Sequence, residues 1–161
     1  MKNIEVTIVP CTEEYVDECA RISVEAYEFI HECLIDLISE DIHEGIMGNW
    51  REKKTASIKK QQRGENSYVA LMDGKVAGFI AYRISADGIG EILNNAVDST
   101  CRGMGIGGKM YEFVFEEMRK QGALYATVST GGDEGHAPAR KAYEKAGFTH
   151  SRPIRTYYRK L

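Results

Sequence analysis

A chain of 161 residues, 43% apolar and 28% charged, has the composition of a globular protein with a sizeable core, which excludes a disordered or fibrous chain. A formal net charge of −3 gives no general attraction to nucleic acid or anionic lipid, and no apolar run approaches the ~20 residues of a membrane-spanning helix. Cys11, Cys19, Cys33 and Cys101 form neither a C-x-x-C pair nor a Cys/His cluster, so free thiols in a reducing cytoplasm are expected, with no metal.

Ile4, Val6 and Ile8 alternate with Glu5 and Thr7, which predicts a first strand ending at Pro10. No signal-peptide core is visible there. Thr12 can cap a helix whose first turn carries Glu13 and Glu14. That helix reads over residues 15–37, with Ile22, Ala26, Phe29, Ile30, Cys33 and Leu37 on one face and a break or bend before Gly45 and Gly48. A second helix is predicted over residues 50–62. Asp73-Gly74 lies between two β-rich runs, residues 68–72 and 76–84, and favours a type I′ hairpin turn. Ala86-Asp87-Gly88 turns into another strand, residues 91–97, completing an antiparallel meander.

Beyond it lies Cys101-Arg102-Gly103-Met104-Gly105-Ile106-Gly107-Gly108-Lys109, followed by Met110, Phe113, Val114 and Met118 at helical spacing as far as the stop at Gly122. A glycine-rich turn that opens a helix suits phosphate, because the first helical turn offers unpaired N–H groups and the glycines admit a close ligand. The residues alone leave three ligands open. Gly103, Gly105 and Gly108 satisfy the dinucleotide pattern G-x-G-x-x-G, although five residues separate Val97 from Gly103 and the next strand ends in Ser129-Thr130 rather than an acid. Gly103 to Lys109 also satisfies the P-loop pattern, but Met110 stands where a hydroxyl should hold magnesium. The third unit is Arg102-x-x-Gly105-x-Gly107.

After the loop helix, residues 124–129 read as a buried strand, made parallel to residues 91–97 by a right-handed crossover. Pro138 opens a last helix with Ala139, Ala142, Tyr143 and Ala146 on one face and Gly147 at its end. Residues 149–161, interrupted by Pro153, supply one or two closing strands. The fold class is therefore α/β (α+β): one domain over residues 1–161, whose mixed sheet of six to seven strands has an antiparallel meander, a parallel central pair and helices on both faces.

Arg102-x-x-Gly105-x-Gly107 after the strand, and Ala139-x-x-x-Tyr143-x-x-x-Gly147-Phe148 at the end of the last helix, resemble the two signature motifs of the GNAT N-acetyltransferase superfamily. The order of elements resembles that fold along nearly the whole chain, and the resemblance implies acetyl-coenzyme A as co-substrate. It implies that Ala96 and Val97 face the pantetheine, that Arg102, Gly103, Met104, Gly105, Ile106 and Gly107 wrap the pyrophosphate, and that His136, Arg140 and Tyr143 complete the coenzyme site. His136 is a departure, since many members carry Asn seven residues before the tyrosine.

Acetyl transfer to an amine needs the unprotonated amine, stabilisation of the oxyanion and a proton for the departing thiolate. Tyr143 is the acid that the resemblance implies, a backbone N–H near Val97 the oxyanion donor, and Glu91 the candidate base, acting through water that Asn94 or Asn95 orients. The acceptor is expected among Tyr27, Phe29, His31, Asn94 and Asn95, where aromatics with neighbouring carboxylates can hold a cationic amine. The expected partners are acetyl-coenzyme A and an amine, with neither nucleic acid nor membrane, and with a homodimer as the assembly to test. The alternative is a protein that binds acetyl-coenzyme A without catalysis, as a sensor or interaction subunit.

Overall fold

The computed structural model describes residues 5–161, so Ile4 of the expected first strand lies outside the described residues. Five strands form one sheet in sequence order: β1 (Val6–Pro10), β2 (Ser67–Met72), β3 (Lys75–Ile84), β4 (Ile89–Val97) and β5 (Tyr125–Val128). The first three pairings are antiparallel and β4 with β5 is parallel. Asp73 and Gly74 both take positive φ, 50° and 76°, as the type I′ turn between β2 and β3 requires.

Strand alternation divides the core into two layers. Val69 and Phe79 face α1 (Glu13–Ile38) and α3 (Trp50–Gln62), where they meet Cys19, Ala20, Ile22 and Ile58. Their neighbours Ala70 and Ile80 face the other way, onto Ile106, Met110, Val114 and Met118 of α4 (Ile106–Lys120). Each fully buried Ile or Phe of this kind contributes about 1.5–3 kcal/mol. The layer of α4 sits close because two strand positions lack side chains: a Cβ at Gly78 would lie 2.9 Å from the Ala96 carbonyl oxygen and 3.1 Å from Met110 Cε, and one at Gly90 would lie 2.5 Å from Met118 Sδ.

Two expectations need correction. Among the described residues the sheet has five strands, because residues 149–161 form no strand: Pro153 lacks a ladder donor, Arg152, Arg155, Arg159 and Lys160 interrupt the apolar alternation, and all but Tyr158 are exposed. β5 is not a buried strand but an edge: Ala126 and Val128 pack toward α4, while Leu124 and Tyr125 are 86% and 73% exposed, since the α1–α3 layer does not reach over them. The break expected before Gly45 falls at Ser39, whose φ of 73° ends α1 and turns the chain directly into α2 (Glu40–Met47), a separate helix that the sequence reading did not place and that runs through Gly45.

Candidate active site

The glycine loop leaves β4 through Asp98. The Asp98 carboxylate accepts hydrogen bonds from the backbone N–H and hydroxyl of Thr100 and pairs with Arg21 of α1. Those partners hold it well below the usual carboxylate range, at about 2. This buried anchor fixes the loop from behind and leaves its outer side open. Gly103 and Gly105 take φ of 77° and 75°, which an L side chain rarely adopts, and nothing lies within 4 Å of a Cβ built at either. The N–H groups of Ile106, Gly107 and Gly108 precede the first intrahelical acceptor, and no side chain caps α4 at Gly105 in their place. At Gly107 a Cβ would meet only Val97 and Tyr111, at ordinary contact distances of 3.8 and 3.9 Å. The chain itself therefore does not demand glycine there.

Beside the loop, β4 and β5 part. Their pairing stops at Ile92 with Val128, and residues 93–97 of β4 continue without a partner on that side, as the polar strand ends at Asn94, Asn95, Ser129 and Thr130 suggest. Asn95 occupies this wedge. Tyr111 of α4 donates to its Oδ1 at 2.8 Å, and its Nδ2 donates to the Leu93 carbonyl at 3.1 Å and to the Tyr143 hydroxyl oxygen at 3.2 Å. Tyr143, on α5 (Ala137–Lys145), packs edge-on against Tyr111 and Phe148. Burial raises the pKa of its phenol, with the Asn95 bond working in the opposite direction, so the hydroxyl keeps its proton near neutral pH. Asn95 occupies a lone pair of that oxygen and leaves the O–H free to donate.

On the other side of β4 lies a second cluster. The Asn94 Oδ1 accepts from Lys54 Nζ at 2.6 Å, with the Tyr27 hydroxyl at 3.4 Å. The ammonium of Lys54 also lies 3.4 Å from the centre of the Tyr27 ring, and burial lowers its pKa to about 8. His31 stacks on Trp50 at 3.9 Å and hydrogen-bonds His43 at 2.8 Å. Burial, aided by the neighbouring His43, Arg51 and Lys54, pushes His31 down to about 4.

The residues expected from sequence divide among these groups. Ala96, Val97, Arg102, Gly103, Met104, Gly105, Ile106 and Gly107 line or follow the strand end and loop, and Asn95 with Tyr143 occupy the wedge. Tyr27, His31 and Asn94 gather around Lys54, and His136 lies edge-on to Tyr27 with ring centres 6.4 Å apart. Phe29 is 55% exposed and belongs to none of these clusters. Arg140 donates to the carbonyls of Gly131 and Asp133, and His136 bonds the Asp133 carboxylate at 2.7 Å, so both brace the preceding loop. Glu91 pairs with Arg83 across the ladder at 2.5 Å. Cys101 is buried behind the loop.

Sequence reasoning overlooked Lys54, Gln61, Trp50 and Tyr111. Trp50, Lys54, Ile58 and Gln61 share the inward stripe of α3, so a lysine and a glutamine in line with a buried isoleucine were the available signal.

Residues 27–148 match the acetyltransferase (GNAT) family. The chain belongs to that family. Membership implies acyl transfer, and the match takes in the residues of the two clusters and of the glycine loop. Among curated relatives, this GNAT chain is 32% identical over 82 residues to the mycothiol acetyltransferase of Thermomonospora curvata, covering 51% of this chain and 27% of that protein. It is 34% identical over 95 residues to the N-acetylaspartate synthetase of Xenopus tropicalis, covering 56% of this chain and 33% of that protein. The chain thus spans a third or less of the length of both. Among solved structures, the Paia N-acetyltransferase of Thermoplasma acidophilum in complex with coenzyme A superposes with a TM-score of 0.67 at 20% identity, over 91% of each chain, which is a likeness of fold.

Proposed function

We propose that this GNAT protein is an N-acetyltransferase that moves the acetyl group of acetyl-coenzyme A directly to a primary amine of a small molecule, with residues 1–161 acting as one domain in the cytoplasm. The observation that carries the reading is the Tyr143 hydroxyl, held by Asn95 in the wedge between β4 and β5 beside a glycine loop that opens α4.

The residues present fit the coenzyme. The unpaired N–H groups at the start of α4 and the empty space over Gly103 and Gly105 suit a pyrophosphate, and the free side of residues 93–97 suits a pantetheine amide. Acetyl-coenzyme A supplies the activated acetyl carbonyl. An amine attacks as its neutral form, the new N–C bond replaces the C–S bond, and Tyr143 gives its proton to the departing sulfur. Glu91, paired with Arg83, serves as base in this reading only through intervening water. A small acceptor is favoured because the cluster around Lys54 opens onto a groove of about 290 Å³ between α1, α2 and α3. Both curated relatives, moreover, are named for small molecules.

The test pairs calorimetry with release of coenzyme A across amine classes. Acetyl-coenzyme A is expected to bind and to be consumed with at least one small amine. Binding without turnover on any amine points to the non-catalytic sensor, and absence of binding removes the reading altogether.

A further inference from the structure

The groove between α1, α2 and α3 is lined by Tyr27, His31, Trp50, Lys53, Lys54 and Ser57 among others, and no carboxylate belongs to its lining. Glu32, Asp36, Glu40 and Glu44, the carboxylates that neighbour the expected aromatics along the chain, are absent from it. Glu28 of the same face is taken up by Arg51, and Asp41 by Lys160. Lys59, Lys120 and Lys160 each have a carboxylate partner, whereas among the described residues Lys54 has none within ion-pair distance.

An ammonium withdrawn from water without a counter-charge is unfavourable, and one amide oxygen with one aromatic face offsets only part of that cost. Of the three N–H bonds of Lys54, one is used by Asn94 and one side of the group rests on Tyr27, which leaves a donor for a ligand in the groove. Asn94 in turn is fixed. Its Nδ2, backbone N–H and backbone C=O are all engaged by Gln61, so the Lys54–Asn94 pair is a built feature rather than a mobile surface lysine.

We infer that the acceptor amine also carries a carboxylate, as an amino acid does, and that Lys54 receives it in this groove. Asn94, which holds Lys54, and Asn95, which reaches Tyr143, are consecutive on β4, so the two clusters meet at one bulged strand position, and an acceptor with its carboxylate at Lys54 has to bring its amine past that strand end to the wedge. The inference rests on the acetyl-transfer reading above and narrows its acceptor.

The experiment measures kcat and KM for L-alanine, β-alanine, L-aspartate and L-glutamate beside L-alaninamide, β-alaninamide and putrescine, in wild type and in Lys54→Met, Lys54→Gln and Lys54→Arg. Wild type is expected to prefer the free acids. A hydrogen-bonded charge pair is commonly worth enough to change binding about 10- to 100-fold, so Lys54→Met and Lys54→Gln should shrink the acid-to-amide ratio by that factor through KM, with Lys54→Arg retaining part of it. Affinity for acetyl-coenzyme A should not follow. Preference for amides or putrescine in wild type overturns the inference, as does a Lys54→Met effect that falls equally on kcat for all acceptors or on coenzyme affinity. Turnover of amides alone sinks only this inference. No release of coenzyme A with any member of the panel sinks the acetyl-transfer reading too.

Discussion

The side chain of Gln61 on α3 bonds both the N–H and the C=O of Asn94 on β4, at 3.2 and 3.1 Å, taking the place of a neighbouring strand. It is needed because β4 carries one extra residue here: Ile80 pairs with Asn95 and Tyr82 with Ile92, so residues 93 and 94 share the span opposite Ala81. The bulge turns Asn94 toward α3 and Asn95 toward α4, which gives one strand a polar side chain in each cluster.

Gln61→Met should therefore act on both stability and rate. Two partly buried backbone groups lose their partners, at about 1–3 kcal/mol of stability. With Asn94 released, catalytic efficiency should fall at least tenfold while acetyl-coenzyme A affinity stays near wild type. Thermal unfolding and steady-state kinetics measure the two; an unchanged melting temperature contradicts the bracing role.

Tyr143→Phe keeps the ring contacts with Tyr111 and Phe148 and removes only the hydroxyl. General-acid help is commonly worth about 10²–10⁴-fold, and a thiolate leaves fairly well unaided, so kcat should drop about 10- to 10³-fold with coenzyme affinity little changed. The informative measurement is the pH–rate profile where chemistry limits turnover. Wild-type kcat with the same basic limb makes Tyr143 a packing residue.

Gly107 separates folding from binding. A Cβ there meets only ordinary contacts, so Gly107→Ala should raise the stability of the free protein by about 0.5–1 kcal/mol through its helix propensity. The same methyl narrows the approach to the α4 N–H groups, and acetyl-coenzyme A should stabilise the variant less than wild type. Gly107→Asp adds a negative charge and should abolish that stabilisation. Melting temperatures with and without acetyl-coenzyme A decide the matter, and equal ligand shifts in all three proteins count against a pyrophosphate at the loop.

Acid should unfold the protein in two stages. The folded-state pKa of His31 is depressed from 6.5 to about 4, so its neutral form contributes stability that is complete above 6.5 and is lost as pH falls toward 4. The Asp98 pKa is depressed from 3.8 to about 2, and the stability from its ionised form is lost below that, as pH falls from 3.8 through 2. His31→Gln should flatten the first limb of a melting-temperature curve against pH, and Asp98→Asn the second. A single limb in wild type that neither variant alters would assign acid unfolding to other groups.

What the sequence made legible was whatever has a short-range physical cause. The Asp73-Gly74 turn, the stripe of Ile106, Met110, Val114 and Met118, and the glycines after Val97 each state their own geometry. The limits of α3 were readable as well, but not its role, because a helix whose inward stripe carries Lys54 and Gln61 looks like a solvated one until a bulged strand is set against it. Ser39 gave no warning of a positive φ. The closing strands failed for the opposite reason: Ile154 and Tyr157 have β-favouring side chains, yet tertiary placement leaves both exposed.

The exposed edge at β5 has a consequence for the order in which the molecule opens. Its strand has a partner on one side only, and Leu124 and Tyr125 at its start are uncovered, whereas β3 is paired on both sides and buries Phe79 and Ile80 in opposite layers. Amide protons of β5 should therefore exchange with solvent through small local openings, and those of β3 only when the whole fold comes apart. The wedge that holds Asn95 lies between these two regimes. A ligand bridging β4 to β5 closes the seam at which the protein begins to unfold, so occupancy of the site and slow exchange at the far edge of the sheet become one observable.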